Sequence, residues 1–194
     1  MLNNVLELKT RALDENIPIM QDKTLDYICD LIEQKNIKTI LEIGTGVGYS
    51  TIVMALSKKD LKIVSIERDE NRYLEALKNI KEFKLEDQIT LIFNDAFNVN
   101  LDSKYDLIVL DGAKGQNERF FQKFKDNLER TGFIITDNMY FHGYVEHPEK
   151  AETKDLRSLI EKIKNYHTFL KNNEEFETKI LKVGDGIAVS RYKE

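Results

Sequence analysis

Apolar positions along the chain switch repeatedly between a period of about two and a period near 3.6, the mark of strands alternating with helices. Five short β-rich runs come first, at Thr39–Ile43, Lys62–Glu67, Gln88–Phe93, Tyr105–Leu110 and Gly132–Thr136. Between them, Tyr73, Leu77 and Ile80 share one helical face, and Phe120, Phe121, Phe124 and Leu128 share another. A longer helix carries Leu156, Leu159, Ile160, Ile163 and Leu170. After it, Phe176–Val183 and Gly186–Arg191 flank Gly184-Asp185-Gly186 and predict a hairpin. The alternation predicts an α/β domain, a parallel sheet with helices on both faces, and the hairpin adds an antiparallel strand at one edge. Residues 1–36 precede the first strand and read as helical around Leu25 to Ile32. They are expected to cap the ligand crevice or to form part of a subunit contact.

Length and composition narrow the class. At 194 residues the chain fits one domain, 1–194, with a sizeable core. Hydrophobic residues at 41% and charged residues at 32% are ordinary for a globular protein. The longest apolar runs, such as Leu107–Leu110, are too short to cross a bilayer, and Asn3, Asn4, Glu7 and Lys9 interrupt any signal-peptide pattern. A single cysteine, Cys29, allows no internal disulfide and suits a reducing cytoplasm. Its place among Leu25, Ile28 and Ile32 marks it as a packing residue rather than a nucleophile. The formal net charge of -5 argues against a protein that coats nucleic acid through bulk positive charge, though not against a local basic face.

The first chemical signal is the run Ile40-Leu41-Glu42-Ile43-Gly44-Thr45-Gly46-Val47-Gly48-Tyr49-Ser50, an apolar strand that feeds three closely spaced glycines and then a helix. Glycine is needed where backbone must turn sharply or lie against a ligand. The next strand ends in Glu67, whose carboxylate can accept from both hydroxyls of a ribose. The Gly-x-Gly-x-Gly spacing differs from the Gly-x-Gly-x-x-Gly of dinucleotide-binding dehydrogenases, and the Gly-Lys-Ser/Thr ending of a phosphate loop is missing. Asp95, after the third strand, can reach an adenine amino group or cap a turn.

The second signal is a set of oxygen donors. The fourth strand ends at Asp111 and the fifth at Asp137-Asn138. As neighbours about 4.8 Å apart, those strands would bring two carboxylates and an amide carbonyl to one sheet edge. Such a set favours Mg²⁺, or another hard divalent cation, over zinc, and leaves positions for two substrate oxygens. Singly, each of the three is a turn cap; together, beside a nucleoside site, they favour a metal. Lys114 follows in Asp111-Gly112-Ala113-Lys114-Gly115-Gln116. A lysine near a cation has its neutral form favoured, as a general base requires.

Taken together, Leu41-Glu42-Ile43-Gly44-Thr45-Gly46 and the pairing of Asp111 with Asp137-Asn138 resemble the cation-dependent O-methyltransferases that act on catechol and caffeoyl-CoA. The likeness runs from Ile17-Pro18-Ile19-Met20 to Val183-Gly184-Asp185-Gly186-Ile187-Ala188. It implies a Rossmann-like class I methyltransferase fold, a seven-stranded mostly parallel sheet. It also implies S-adenosyl-L-methionine (AdoMet) and Mg²⁺ as cofactors, and a homodimer. The expected cofactor contacts are Glu42, Gly44, Gly46, Gly48, Ser50, Glu67, Asp95, Ala96 and Asp111. The metal ligands would be Asp111, Asp137 and Asn138, and the catalytic pair Lys114 and Asp111.

Within that family, Ala113-Lys114-Gly115-Gln116 and Asp137-Asn138-Met139-Tyr140-Phe141-His142-Gly143 are most similar to the bacterial branch that methylates 5-hydroxyuridine in tRNA, although Gly112 stands where alanine is usual. The implied partner is a tRNA anticodon loop, with Lys114, Arg119, Lys123 and Lys125 as phosphate contacts or a solvated helix face, and Phe141, His142 and Tyr144 at the substrate mouth. The alternative acceptor is a small catechol-like phenol or caffeoyl-CoA-like ester. More distant readings are a nicotinamide oxidoreductase, disfavoured by the loop spacing and the oxygen trio, and a non-catalytic AdoMet-binding module. His147 and His167 carry no recognisable role.

Overall fold

The computed structural model describes residues 2–194. Two helices, α1 (Leu2–Asp14) and α2 (Asp22–Gln34), precede the alternation of β1 (Thr39–Ile43), α3 (Tyr49–Ser57), β2 (Lys62–Glu67), α4 (Glu70–Glu82), β3 (Ile89–Phe93), β4 (Tyr105–Leu110), α5 (Asn117–Phe124) and β5 (Leu128–Thr136). A long helix α6 (Lys154–Lys171) then leads into the hairpin of β6 (Phe176–Leu181) and β7 (Ile187–Tyr192). The sheet order is β3-β2-β1-β4-β5-β7-β6, the first five strands paired in parallel and β7 antiparallel to both its neighbours. This is the α/β, mostly parallel, seven-stranded sheet that the resemblance implied.

The hairpin docks at one edge as expected, but its antiparallel strand is not the outermost. β7 lies between β5 and β6 because Ile187 and Ala188 are wholly buried, whereas Lys179 and Ile180 leave β6 half in water. Leu128, read from periodicity as helical, instead opens a longer β5 and is fully buried there. A Cβ on Gly132 would meet the Asp106 carbonyl oxygen at 2.7 Å, so glycine lets β5 pass β4 where the register shifts.

Strand alternation separates two cores. Ile40, Ile63, Leu107 and Val109 face α1, α2 and α3, while Leu41, Ile43, Ile108 and Leu110 face the Phe120–Phe121–Phe124 stripe of α5 and the Tyr166–Leu170 side of α6. On α4 the buried residues are Ala76, Asn79 and Ile80; Leu77 is exposed and Tyr73 packs beside Phe93 at the sheet edge. Asn79 is buried because its Nδ2 donates to the Val47 carbonyl at 2.9 Å and its Oδ1 accepts from Arg11 at 3.1 Å. A buried amide in place of an apolar residue broke the expected stripe. Cys29 is only half-buried, yet burial pushes its thiol up, which fits packing better than nucleophilic work. Among the described residues no helix is long and apolar enough to cross a membrane.

Candidate active site

The strand order reverses between β1 and β4, and a crevice opens at the carboxyl ends of strands beside such a reversal. The two strand ends are tied together: Asp111 N donates to the Ile43 carbonyl at 3.0 Å, and Gly44 N donates to the Ile66 carbonyl at 3.0 Å. Gly44 has φ +99°, and a Cβ there would lie 2.7 Å from the Asp111 carbonyl oxygen. Only glycine lets the loop leave β1 this close to β4.

Glu67 closes the cradle from β2. One carboxylate oxygen accepts from Gly46 N at 2.8 Å, the other from Arg68 N and Asp69 N at 2.8 Å each. These bonds hold the carboxylate at the cavity wall, where a ribose would meet it. Asp95 also lines the cavity, and it caps its turn as well, accepting from Phe97 N at 2.9 Å with Arg68 3.6 Å away. Ala96 and Ser50 line the same space.

Glu42 does not reach the cavity. Strand alternation turns it toward the first turn of α3, where it is fully buried and accepts from the hydroxyls of Ser50 (2.6 Å), Thr51 (2.5 Å) and Ser65 (2.6 Å). Ser65 in turn is 2.6 Å from Thr45 in the glycine loop. The expected direct cofactor contact is therefore a brace beneath the loop. Burial, against the pull of the three hydroxyls, pushes Glu42 from its ordinary 4.5 up to about 6. A carboxyl raised on folding stabilises the fold while protonated, and that stability is lost as pH rises from 4.5 through about 6. At about 1.36 kcal/mol per pH unit the loss is about 2 kcal/mol. In urea titrations, Glu42→Gln should gain that much on the unsubstituted protein between pH 4.5 and pH 7; a pH-independent difference would contradict it.

A single cavity of about 530 Å³ runs from Asn94–Ala96 at one end to Phe141 and His142 at the other. Leu13 and the segment Ile17–Gln21 roof it, so the chain ahead of β1 contributes to the site as well as to packing. Arg68, Arg72 and Phe120 also line it. These three were not foreseen as site residues: the arginines carry no spacing signal, and Phe120 was read only as part of the apolar face of its helix.

Asp111, Asp137 and Asn138 share this cavity at the ends of the neighbouring strands β4 and β5, paired through Leu110 and Thr136. Lys114 Nζ hydrogen-bonds the Asp111 carboxylate. The Thr24 hydroxyl, from α2, donates a long 3.4 Å bond to Asp137, and Asn138 Nδ2 donates to Asp185 at 3.1 Å. Burial, reinforced by the Asp111 carboxylate, pushes Asp137 up to about 6. Two close, largely dehydrated carboxylates with one ammonium nearby form a site that a further positive charge would suit. Among the described residues no group of three or more His, Cys, Asp or Glu side chains is placed for a metal. The trio has two carboxylates and an amide, a set that fits a hard cation with open positions.

His142 and Phe141 line the far end of the cavity, whereas Tyr144 packs on Phe141 without reaching it. His167 has a role that the sequence did not reveal, its Nε2 lying 2.8 Å from the Met139 carbonyl in the loop after β5. The expected phosphate contacts divide. Lys114 is in the cavity and Arg119, on the first turn of α5, lies over Phe97. Lys123 and Lys125 lie at the opposite edge of the sheet, where α5 descends toward the start of β5 and Lys125 pairs with Glu175. Those two lysines are removed from the site.

A family model described as O-methyltransferase matches residues 2–193. A flavonoid 3',5'-methyltransferase from Vitis vinifera is 29% identical over 187 residues, covering 91% of this chain and 78% of that one. A caffeoyl-CoA O-methyltransferase from Populus kitakamiensis is 23% identical over 91% of this chain and 77% of its own length. A crystal structure from Staphylococcus aureus, provisionally named a caffeoyl-CoA O-methyltransferase, superposes with a TM-score of 0.92 at 34% identity, covering 97% and 92% of the two chains. A methyltransferase from Podospora anserina solved with S-adenosylhomocysteine shares the fold, with a TM-score of 0.88 at 21% identity over 100% and 87% of the chains. With a family match from end to end and a close structural relative, the chain belongs to the O-methyltransferase family, enzymes that transfer a methyl group to oxygen.

Proposed function

We propose that the chain transfers the methyl group of AdoMet to one of two vicinal oxygens on a planar acceptor. In this reading Asp111, Asp137 and Asn138 hold Mg²⁺ or another hard divalent cation, and the acceptor is 5-hydroxyuridine in a tRNA anticodon loop. The observation that carries the chemistry is one cavity shared by a glycine-loop cradle and two carboxylates, the buried Asp137 and the part-buried Asp111, with an amide.

Gly44, Gly46 and Glu67 are assigned to the nucleoside, with Asp95 and Ala96 toward the adenine; Gly48, expected there too, lies outside the cavity lining and instead caps α3 against Ala76. Glu42 acts from below through the Ser50, Thr51 and Ser65 hydroxyls. When bound, the cation supplies charge that lowers the acceptor hydroxyl's pKa and fixes two oxygens at once. Lys114, held beside the trio by its bond to Asp111, receives the acceptor proton at Nζ when its amine is neutral. As the O–CH₃ bond forms, the S–CH₃ bond breaks and its electron pair stays on sulfur, giving S-adenosylhomocysteine. The remaining work is alignment and exclusion of water, for which the Ile17–Gln21 roof is suited.

Support for the RNA acceptor is the likeness of Ala113–Gln116 and Asp137–Gly143 to the tRNA-modifying branch, and the bite of O5 and O4 on 5-hydroxyuracil, which matches that of a catechol. His142, 64% exposed, borders the acceptor end, where an unstacked base would enter. A small phenolic acceptor is the second reading. The curated relatives act on flavonoids and caffeoyl-CoA, and two of the four cations assigned to RNA lie far from the mouth.

Purified protein should be incubated with AdoMet, Mg²⁺ and either undermethylated tRNA or catechol, with nucleoside mass spectrometry for 5-methoxyuridine. The expected result is 5-methoxyuridine formed in a strongly salt-dependent reaction. Methylation of catechol but not tRNA would select the second reading, and AdoMet binding with neither product would leave a non-catalytic module. Full activity in excess EDTA, with metal shown absent, would overturn the cation's role.

A further inference from the structure

The turn between β6 and β7 reaches the oxygen trio from outside and clasps the loop after β5. Met139 N donates to the Gly186 carbonyl and Tyr140 N to the Asp185 carbonyl, each at 2.9 Å. The Asp185 side chain is buried and accepts twice, from His142 N at 2.7 Å and from Asn138 Nδ2 at 3.1 Å. The clasped loop needs such support, since Asn138 (φ +61°), Phe141 (φ +46°) and His142 (φ +56°) are all left-handed non-glycine residues. The turn itself has no slack. A Cβ on Gly184 would lie 2.4 Å from Thr24 Oγ1, the hydroxyl that also reaches Asp137, and one on Gly186 would lie 2.3 Å from the Tyr140 ring.

An asparagine offers either an acceptor or a donor to whatever it faces, and the wrong face would present N–H groups to a cation. A carboxylate only accepts. Whichever end of the Asn138 amide meets Asp185 must therefore be its NH₂, which turns the carbonyl oxygen away from Asp185. We infer that Asp185 is a positioning residue that sets the polarity of the Asn138 amide, so that its carbonyl and not its NH₂ is offered beside Asp111 and Asp137. The inference rests on the cation reading given above. Its action goes through another ligand, as outer partners of metal ligands commonly act.

The test is Mn²⁺ affinity, followed by electron paramagnetic resonance titration, alongside AdoMet affinity. Asp185→Asn and Asp185→Ala should each weaken Mn²⁺ binding by about 10- to 100-fold while AdoMet binding stays within about two-fold. Asn138→Asp alone sets two carboxylates against each other and should also bind weakly. Adding Asp185→Asn to it restores a donor facing an acceptor, and the double variant should bind Mn²⁺ about 10-fold more tightly than Asn138→Asp. This pair decides the matter if the alanine variant melts or loses AdoMet. Variants of Asp185 that keep AdoMet and bind Mn²⁺ as the unsubstituted protein does would overturn this inference alone. An unsubstituted protein that binds no Mn²⁺ would overturn it together with the cation reading.

Discussion

Asp137→Ala is expected to lower kcat by about 10³-fold or more, with AdoMet affinity within about three-fold of the unsubstituted protein. The asymmetry follows from where the parts are anchored. The proposed cofactor cradle is built from the ends of β1 and β2, through Gly46 N on Glu67 and Gly44 N on Ile66, and Asp137 contributes no bond to it. Asp137 is instead the most buried of the three oxygen donors, 2% exposed at the end of β5 and held by Thr24. Its removal leaves Asp111 and Asn138 to hold a divalent cation, and Asp111 is already engaged by Lys114. Folding should not suffer. Burial and the Asp111 charge already push this carboxyl toward its neutral form, so the metal-free variant should melt no lower than the parent. Single-turnover kinetics at saturating Mg²⁺ and calorimetric AdoMet titration check the two halves. Turnover within about ten-fold of the parent, or AdoMet affinity falling in step with kcat, would rule out a specific metal-ligand role.

The parts of this molecule that were legible in its sequence are those where one residue type has one local job. The glycine run after Ile43, the acid closing β2 and the donors closing β4 and β5 all sit at strand ends, so finding the strands located them. What stayed hidden depended on contacts between distant segments. Strand alternation could have shown that Glu42 faces α3, yet nothing local shows that three hydroxyls wait there. Lys123 and Lys125 follow the site loop in sequence, but a short helix is enough to carry them to the other edge of the sheet. Asp185 was read only as the middle of a tight turn, because Gly-Asp-Gly is also what an ordinary hairpin turn requires. Thr24, on a helix that precedes the whole sheet, offered no signal at all; its role exists only because α2 packs over the end of β5.

Gly44→Ala should be among the most damaging single methyl groups that can be added near the site, because the atoms it meets are backbone. The new Cβ would meet three backbone atoms, the Asp111 carbonyl oxygen at 2.7 Å, its carbon at 2.8 Å and Gly112 Cα at 2.9 Å, and no side chain can rotate to make room. The backbone conformation, φ +99°, is itself costly for alanine. Strain of about 1–3 kcal/mol and overpacking of about 1–3 kcal/mol add to about 2–6 kcal/mol, a large share of a typical domain's stability. The more telling expectation concerns linkage. Relief of the clash must push β1 and β4 apart at their ends, which moves the cofactor loop and Asp111 together, so AdoMet and Mn²⁺ affinities should fall in the same variant. Gly46→Ala is the control: nothing lies within 4 Å of its Cβ, leaving only the left-handed backbone (φ +57°) at about 1–2 kcal/mol. It should weaken AdoMet binding, since Gly46 lines the cavity and the strained backbone carries the N–H that holds Glu67, and leave Mn²⁺ affinity alone. A Gly44→Ala protein that melts like the parent and still binds Mn²⁺ normally would mean that the two strand ends yield independently. The cofactor and metal sites would then be neighbours without being coupled.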